Sequence, residues 1–156
     1  MFIIKAAIRR YAMSIGMAAI PFSFVRVLLL RACGVTIGRG CYIGFNVVCD
    51  TNFPELVVIG DNVTISHNCM IITHTASPAR SFLAKVYRAS EQVSIGNGAW
   101  IGANSTILPG ISVGKDCMIG AGSVVTRSTD ERSLWAGNPC QRIKSIAAKD
   151  SQEIGE

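Results

Sequence analysis

The chain has 156 residues, enough for one domain with a core of its own. It is 49% hydrophobic and 16% charged, with 15 glycines and 7% aromatics; that balance excludes disorder and points to many tight turns around an aliphatic core. The net charge of +5 belongs to residues 1–31, which carry Lys5, Arg9, Arg10, Arg26 and Arg31 and no acid; the neutral remainder excludes a nucleic-acid-binding body.

Residues 1–34 are both basic and apolar. The uncharged run between Arg10 and Arg26 is 15 residues long and contains Pro21, short of the about 20 apolar residues that a membrane-spanning helix needs. Its basic start has the look of a signal peptide, yet no small-x-small cleavage site follows cleanly and the body begins directly after. Two readings stay open. One is a pair of amphipathic helices packed on the body or on a neighbouring subunit. The other is a basic, apolar helix that lets residues 1–31 make peripheral contact with a membrane surface.

From residue 35 the chain reads in sixes. Twelve hexads begin at residues 37, 43, 49, 59, 65, 71, 95, 101, 107, 113, 119 and 125, and all but Cys49 begin with Ile or Val. A fixed period of this kind decides the fold. The leading residue of each hexad points inward. Two positions before the next leader lies a second inward site that must be small. It holds Cys41, Val47, Val63, Cys69, Ala99, Ser105, Cys117 and Ser123, with Phe53 and Ile111 as larger exceptions. Three hexads make one triangular coil, and twelve make four coils, stacked at the inter-strand spacing of about 4.8 Å. The expected fold class is all-β: a parallel β-helix over residues 35–130, after a helical segment 1–34 and before a C-terminal segment 131–156. Four cysteines fall in the inward columns and no C-x-x-C occurs, so they read as buried free thiols of a reducing cytoplasm, without disulfides or a metal.

The fourth column of each hexad is the turn. It reads Gly, Asn or Asp at ten of its twelve positions, residues that accept a left-handed backbone. His74, in "CMIITHTASP", stands in that column. One reading makes it another turn residue, since His is also enriched there. The other makes it a chemical group. Right after it the repeat breaks: residues 77–92 carry no leading Ile and no Gly, but hold Arg80, Tyr87 and Arg88, which are candidates for substrate contacts. A shorter break, Glu55–Val58, falls at the same corner one coil lower. Coil counting puts Asn52 beneath His74, so one corner gathers two insertions, a basic loop, an Asn and a His. His67 falls in the outward third column and reads as a surface or subunit-contact residue.

The repeat with "IGDNVTISHNCMIITH", the loop after it, "IGNGAWIGANSTILPGISVGKDCMIGAGSVV" and the closing "AGNPCQRI" together resemble the hexapeptide-repeat acyltransferases over residues 35–146. The likeness is to sugar O-acetyltransferases of the galactoside, maltose and nodulation-factor type, and to those that decorate bacterial capsule or O-antigen. It implies a left-handed β-helix, a homotrimer with active sites between subunits, acetyl-CoA as donor, a saccharide acceptor, no metal, and work in the cytoplasm or at the inner face of its membrane. It makes His74 the catalytic base, set at a corner where Asn52 or Asp50 can fix its tautomer. It puts Trp100 beside the pantetheine or the acceptor, and the backbone of Ala103 and Ala121 on the pantetheine amides. Thr126 is a further cofactor candidate, and Arg142 and Lys144 can meet CoA phosphates. The N-terminal segment departs from the galactoside and maltose enzymes, so their acceptor does not carry over.

A sugar hydroxyl is a poor nucleophile at neutral pH and needs a base within hydrogen-bond reach, which an imidazole supplies. A covalent route through Cys69 is the competing chemistry, and the repeat turns that thiol inward. Two alternatives differ in function: transfer to an amine of an amino sugar or amino acid, and an inactive trimeric scaffold. A related β-helix family hydrates carbon dioxide at a three-histidine zinc site; this chain has two histidines.

Overall fold

The computed structural model describes residues 17–75 and 90–147, and in it the hexad period is the strand period. Helix α1 spans Ser23–Ala32. Coil 1 holds strands β1 (Thr36–Ile37), β2 (Tyr42–Ile43) and β3 (Val48–Cys49). Coil 2 holds β4 (Val57–Ile59), β5 (Thr64–Ile65) and β6 (Met70–Ile71). Coil 3 holds β7 (Val93–Ile95), β8 (Trp100–Ile101) and β9 (Thr106–Ile107). Coil 4 holds β10 (Ser112–Val113), β11 (Met118–Ile119) and β12 (Val124–Val125). Strands three apart pair in parallel, giving one face β1-β4-β7-β10, a second through β2, β5, β8 and β11, and a third β3-β6-β9-β12.

The leading residues are the core. Ile43, Ile65, Ile101 and Ile119 stack up the second face with no exposure, and Cys49, Ile71, Ile107 and Val125 stack up the third, all buried. The small inward column is buried at Val47, Val63, Cys69, Ala99, Ser105, Cys117 and Ser123, and only half-buried at Cys41. Phe53 is the exception of consequence. It is 37% exposed, not inward, because it is the N-cap of a 3-10 helix, Pro54–Leu56, through which the chain enters the Glu55–Val58 insertion. The glycine after the leader marks where coils touch. At Gly44 a Cβ would stand 2.7 Å from backbone atoms of Ser66 and His67 in the next coil.

Helix α1 closes the lower end. Parallel stacking leaves the outer edge of coil 1 with unpaired backbone groups. Ser23 Oγ accepts from the Ile43 amide at 2.8 Å, and Arg26 Nε donates to the Ile43 carbonyl at 2.9 Å. The Arg26 guanidinium, 1% exposed, also donates to the Ile20 carbonyl and lies 4.3 Å over the Phe45 ring. Val27 and Leu30 cover the core beneath. The helix ends at Gly34, φ +109°, where Val35 N–H bonds Leu30 O and Gly34 N–H bonds Arg31 O. That left-handed stop releases the chain into the first hexad.

The second face runs past residue 130. Strand β13 (Ser133–Ala136) adds a rung on β11, with Trp135 beside Ile119, and β14 (Gln141–Ser145) pairs antiparallel to it. Trp135, 6% exposed, caps the core at this end. Among the described residues no helix is long and apolar enough to cross a membrane.

Candidate active site

The third face delivers two coils to one corner. After β3 come Asp50, Thr51 and Asn52; after β6 come Ile72, Thr73 and His74. Asn, Asp and Gly in the turn column have positive φ at residues 40, 46, 62, 68, 98, 104, 110, 116 and 122. His74 and Asn52 do not, so this corner is not built as the other turns are. His74 instead forms an antiparallel bridge with Ser90, and Glu91 N–H bonds Thr73 O at 2.8 Å, which ties the two ends of the long excursion together.

Asp50 organises the corner. Its carboxylate is 2% exposed and receives four donors. Oδ1 accepts from the amides of Asn52 at 2.9 Å and Phe53 at 3.3 Å. Oδ2 accepts from the Thr73 amide at 3.0 Å and from His74 Nδ1. Burial pushes the carboxyl up, but hydrogen bonds from His74 and the Thr73 and Asn52 amides outweigh it and hold the group at about 2. Asp50 is therefore ionised, and His74 must carry its proton on Nδ1. Nε2 is then the basic nitrogen, and it accepts from Asn52 Nδ2 at 2.9 Å. The Phe53 ring stands edge-on to the imidazole with centroids 5.4 Å apart. Thr73 Oγ1 donates to Phe53 O at 3.4 Å, which pins the insertion to the coil above.

The sequence names Asp50 and Asn52 as alternative partners of His74, and the structure brings in both, one on each ring nitrogen. Phe53 and Thr73 are additions. An aromatic in the small inward column at the start of an insertion was the available signal for Phe53; nothing in the sequence singled out Thr73. Arg80, Tyr87 and Arg88 lie outside the described residues.

The cofactor candidates sit elsewhere in the chain. Trp100 is 49% exposed on the second face, with its Nε1 donating to Ser66 Oγ at 3.2 Å. Ala103 and Ala121 stack on the following corner, and the Ala103 carbonyl accepts from Gly122 N–H at 2.8 Å. Thr126 follows β12 on the His74 corner, two coils above Ile72. Arg142 on β14 pairs with Asp130 at 3.2 Å and Ser145 at 2.6 Å, and Lys144 is exposed opposite Leu134. The structure thus divides the predicted site: Thr126 and the base share one corner, and the other candidates lie on the second face and its edge.

The thiols are set for packing. Cys69 is buried and faces the Gly102 carbonyl at 3.1 Å, and burial raises its pKa. Burial first, and the Asp50 charge second, push Cys49 up to about 12. His67 accepts the Phe45 amide at Nδ1, 3.0 Å, and stacks on that ring 5.5 Å away, away from the His74 corner. No group of three His, Cys, Asp or Glu able to hold a metal occurs among the described residues.

With this geometry in view, the comparisons with known proteins are specific. A family model described as the hexapeptide repeat of succinyl-transferase matches residues 92–127. A Saccharomyces cerevisiae protein with a provisional acetyltransferase name is 42% identical over 120 residues, covering 73% of this chain and 60% of its own. The galactoside O-acetyltransferase of Escherichia coli is 37% identical over 119 residues, covering 74% of this chain and 56% of its own. The chain thus spans about 60% of the length of these relatives. Among solved structures, a maltose O-acetyltransferase from Clostridium difficile is 26% identical with a TM-score of 0.61, covering 89% of this chain and 86% of its own. A hexapeptide-repeat acetyltransferase from Vibrio cholerae, 21% identical with a TM-score of 0.66, bears on the fold alone; the coil is the left-handed parallel β-helix of these proteins.

Proposed function

Because the chain belongs to the hexapeptide-repeat acetyltransferase family, we propose that it moves an acetyl group from acetyl-CoA to a sugar hydroxyl, with His74 as general base. The observation that carries this is the Asp50–His74–Asn52 arrangement, which fixes the protonated nitrogen and aims the basic one outward from Asp50. The acceptor hydroxyl displaces the Asn52 amide and gives its proton to His74 Nε2. Its oxygen then bonds the thioester carbonyl carbon. The tetrahedral intermediate collapses as the carbon–sulfur bond breaks, leaving an acetyl ester and a CoA thiolate. His74 returns the proton to that sulfur, and ionised Asp50 stabilises the imidazolium between the two transfers. Metal chemistry has no part in this scheme.

The finer reading is a homotrimer in which the His74 corner of one copy faces the second face of the next. The division of the candidates between those two surfaces supports it. The substrates are then saccharides of bacterial surface polysaccharide, modified in the cytoplasm, and Trp100, Ala103, Ala121, Thr126, Arg142 and Lys144 line the path of CoA. The O-acetyltransferase names of the Escherichia coli and Clostridium difficile relatives support a hydroxyl over an amine as acceptor.

The test begins with CoA, because it needs no acceptor. Melting of the purified chain is followed as CoA is added; saturation at 100 times the dissociation constant should stabilise it by about 2.7 kcal/mol. Acceptor sugars are then screened by thiol release, with His74→Ala as the control. A loss of about 10²–10⁴-fold is expected. Folded protein that ignores millimolar CoA would favour the inactive scaffold, and a His74→Ala chain keeping a tenth of the turnover would remove the base assignment.

A further inference from the structure

Helix α1 buries Arg26, Val27 and Leu30 and leaves a second strip unmatched. Phe24, Leu28 and Arg31, spaced i, i+4 and i+7, share one flank of the helix. Phe22, Phe24 and Leu28 are 61%, 65% and 57% exposed, and the two phenylalanine rings stand 5.8 Å apart. Between this flank and the coil 1 turn Gly38–Cys41 runs a groove of about 430 Å³, floored by Val27 and rimmed by Arg31 and Arg39. Both arginines are exposed, and Arg31 is fixed there by donating to the carbonyls of Ile37 at 3.1 Å and Gly38 at 2.5 Å.

Charge narrows what can sit on this face. Residues 1–49 carry Lys5, Arg9, Arg10, Arg26, Arg31 and Arg39 without one Asp or Glu. The remaining residues hold nine Lys+Arg against ten Asp+Glu. The apolar strip with aromatic side chains has Arg31 and Arg39 as the charged residues lining its groove, while the acid Asp61 lies one coil beyond and accepts from the Arg39 amide at 2.6 Å; that pattern matches the boundary between acyl chains and anionic headgroups. We propose that this flank of α1 docks the protein on an anionic phospholipid bilayer, with Phe22, Phe24 and Leu28 entering the interface and Arg31 and Arg39 meeting headgroup phosphates. Arg26 and Ser23 make the helix a rigid foot, because their bonds to the Ile43 backbone clamp α1 to coil 1, while Arg26 also holds the Ile20 carbonyl of the preceding segment. The reacting corner stands in coils 1 and 2, within two coil spacings, about 10 Å, of the edge that α1 covers. Docking would hold that corner near the membrane. The inference is independent of the acetyl-transfer reading, since lipid binding needs neither CoA nor an acceptor.

The experiment is co-sedimentation of the full chain with vesicles of phosphatidylglycerol and phosphatidylcholine, and with phosphatidylcholine alone. Binding is expected to the anionic vesicles and to weaken as salt rises. The variant Phe24→Gln/Leu28→Gln keeps helix-forming residues at solvent-facing positions, so its melting temperature and oligomeric state should match the wild type. Its partitioning should fall at least about tenfold. Wild-type chain that stays in the supernatant overturns the proposal, as does a variant that binds as the wild type does. A variant with an altered oligomeric state would assign the face to a second copy. A variant with a lowered melting temperature would assign it to residues 1–16 of the chain itself.

Discussion

An Asp50→Asn substitution keeps the shape of the carboxylate, removes its charge and replaces one acceptor oxygen with a donor NH2. The amide NH2 would turn toward Nδ1 and make that nitrogen the acceptor, which moves the ring proton to Nε2. The base nitrogen is then blocked while the fold of the corner persists. The expected result is a loss in kcat on the order of 10²–10⁴-fold, with the KM for acetyl-CoA little changed, read by thiol release. The same carboxylate links stability to pH. Its folded pKa, about 2, lies below the ordinary 3.8. A depressed carboxyl stabilises the folded state above its unfolded pKa and loses that contribution as pH falls through the folded value. The gap of about two units is worth about 2 kcal/mol at neutral pH. Urea unfolding of wild type and Asp50→Asn should therefore differ by a margin that narrows steadily between pH 5 and pH 2. A constant margin over that range would mean that the four donors do not hold the charge.

At the scale of one element, the coil corner sets the limits of substitution. A Cβ at Gly102 would lie 2.5 Å from the Ala121 amide and 2.7 Å from the Ile119 carbonyl. Backbone of the next coil cannot give way as a flexible side chain can, so Gly102→Ala should cost about 2 kcal/mol and lower the melting temperature by several degrees. The apolar leaders recur in twelve hexads, a glycine follows the leader in seven, and Gly, Asn or Asp fills ten of the turns, which is why the coils could be read from the sequence. The same logic located the His74–Asn52 pair, since coil counting is a distance measurement in disguise. It failed at Phe53, where an insertion released the inward column from its period. It could not choose between Asp50 and Asn52, because which ring nitrogen each side chain meets depends on rotamers and not on register. Nor could it foresee the closure of coil 1: Ser23 and Arg26 satisfy the Ile43 backbone from a helix whose sequence reads only as oily and basic. A buried arginine used as an edge cap leaves no periodic trace.

At the scale of the whole molecule, the corner with the base and the surface with most cofactor candidates are different sides of one prism. His74 follows the third face, whereas Trp100 stands on the second. If one copy supplies the base and its neighbour supplies Trp100, the two functions can be separated and recombined. His74→Ala and Trp100→Ala chains should each have strongly reduced thiol release when assembled alone. Co-expressed, they should form mixed rings in which some interfaces pair an intact His74 with an intact Trp100. For random assembly around a cyclic axis, each copy has an even chance of carrying either lesion, so about a quarter of the interfaces regain both groups. Recovery to about that fraction of wild-type turnover is the expected outcome. Mixing the separately purified proteins without subunit exchange should give none, which controls for contamination. If the co-expressed chains stay as inactive as their parents, both groups act within one copy, and the site must be confined to the His74 corner.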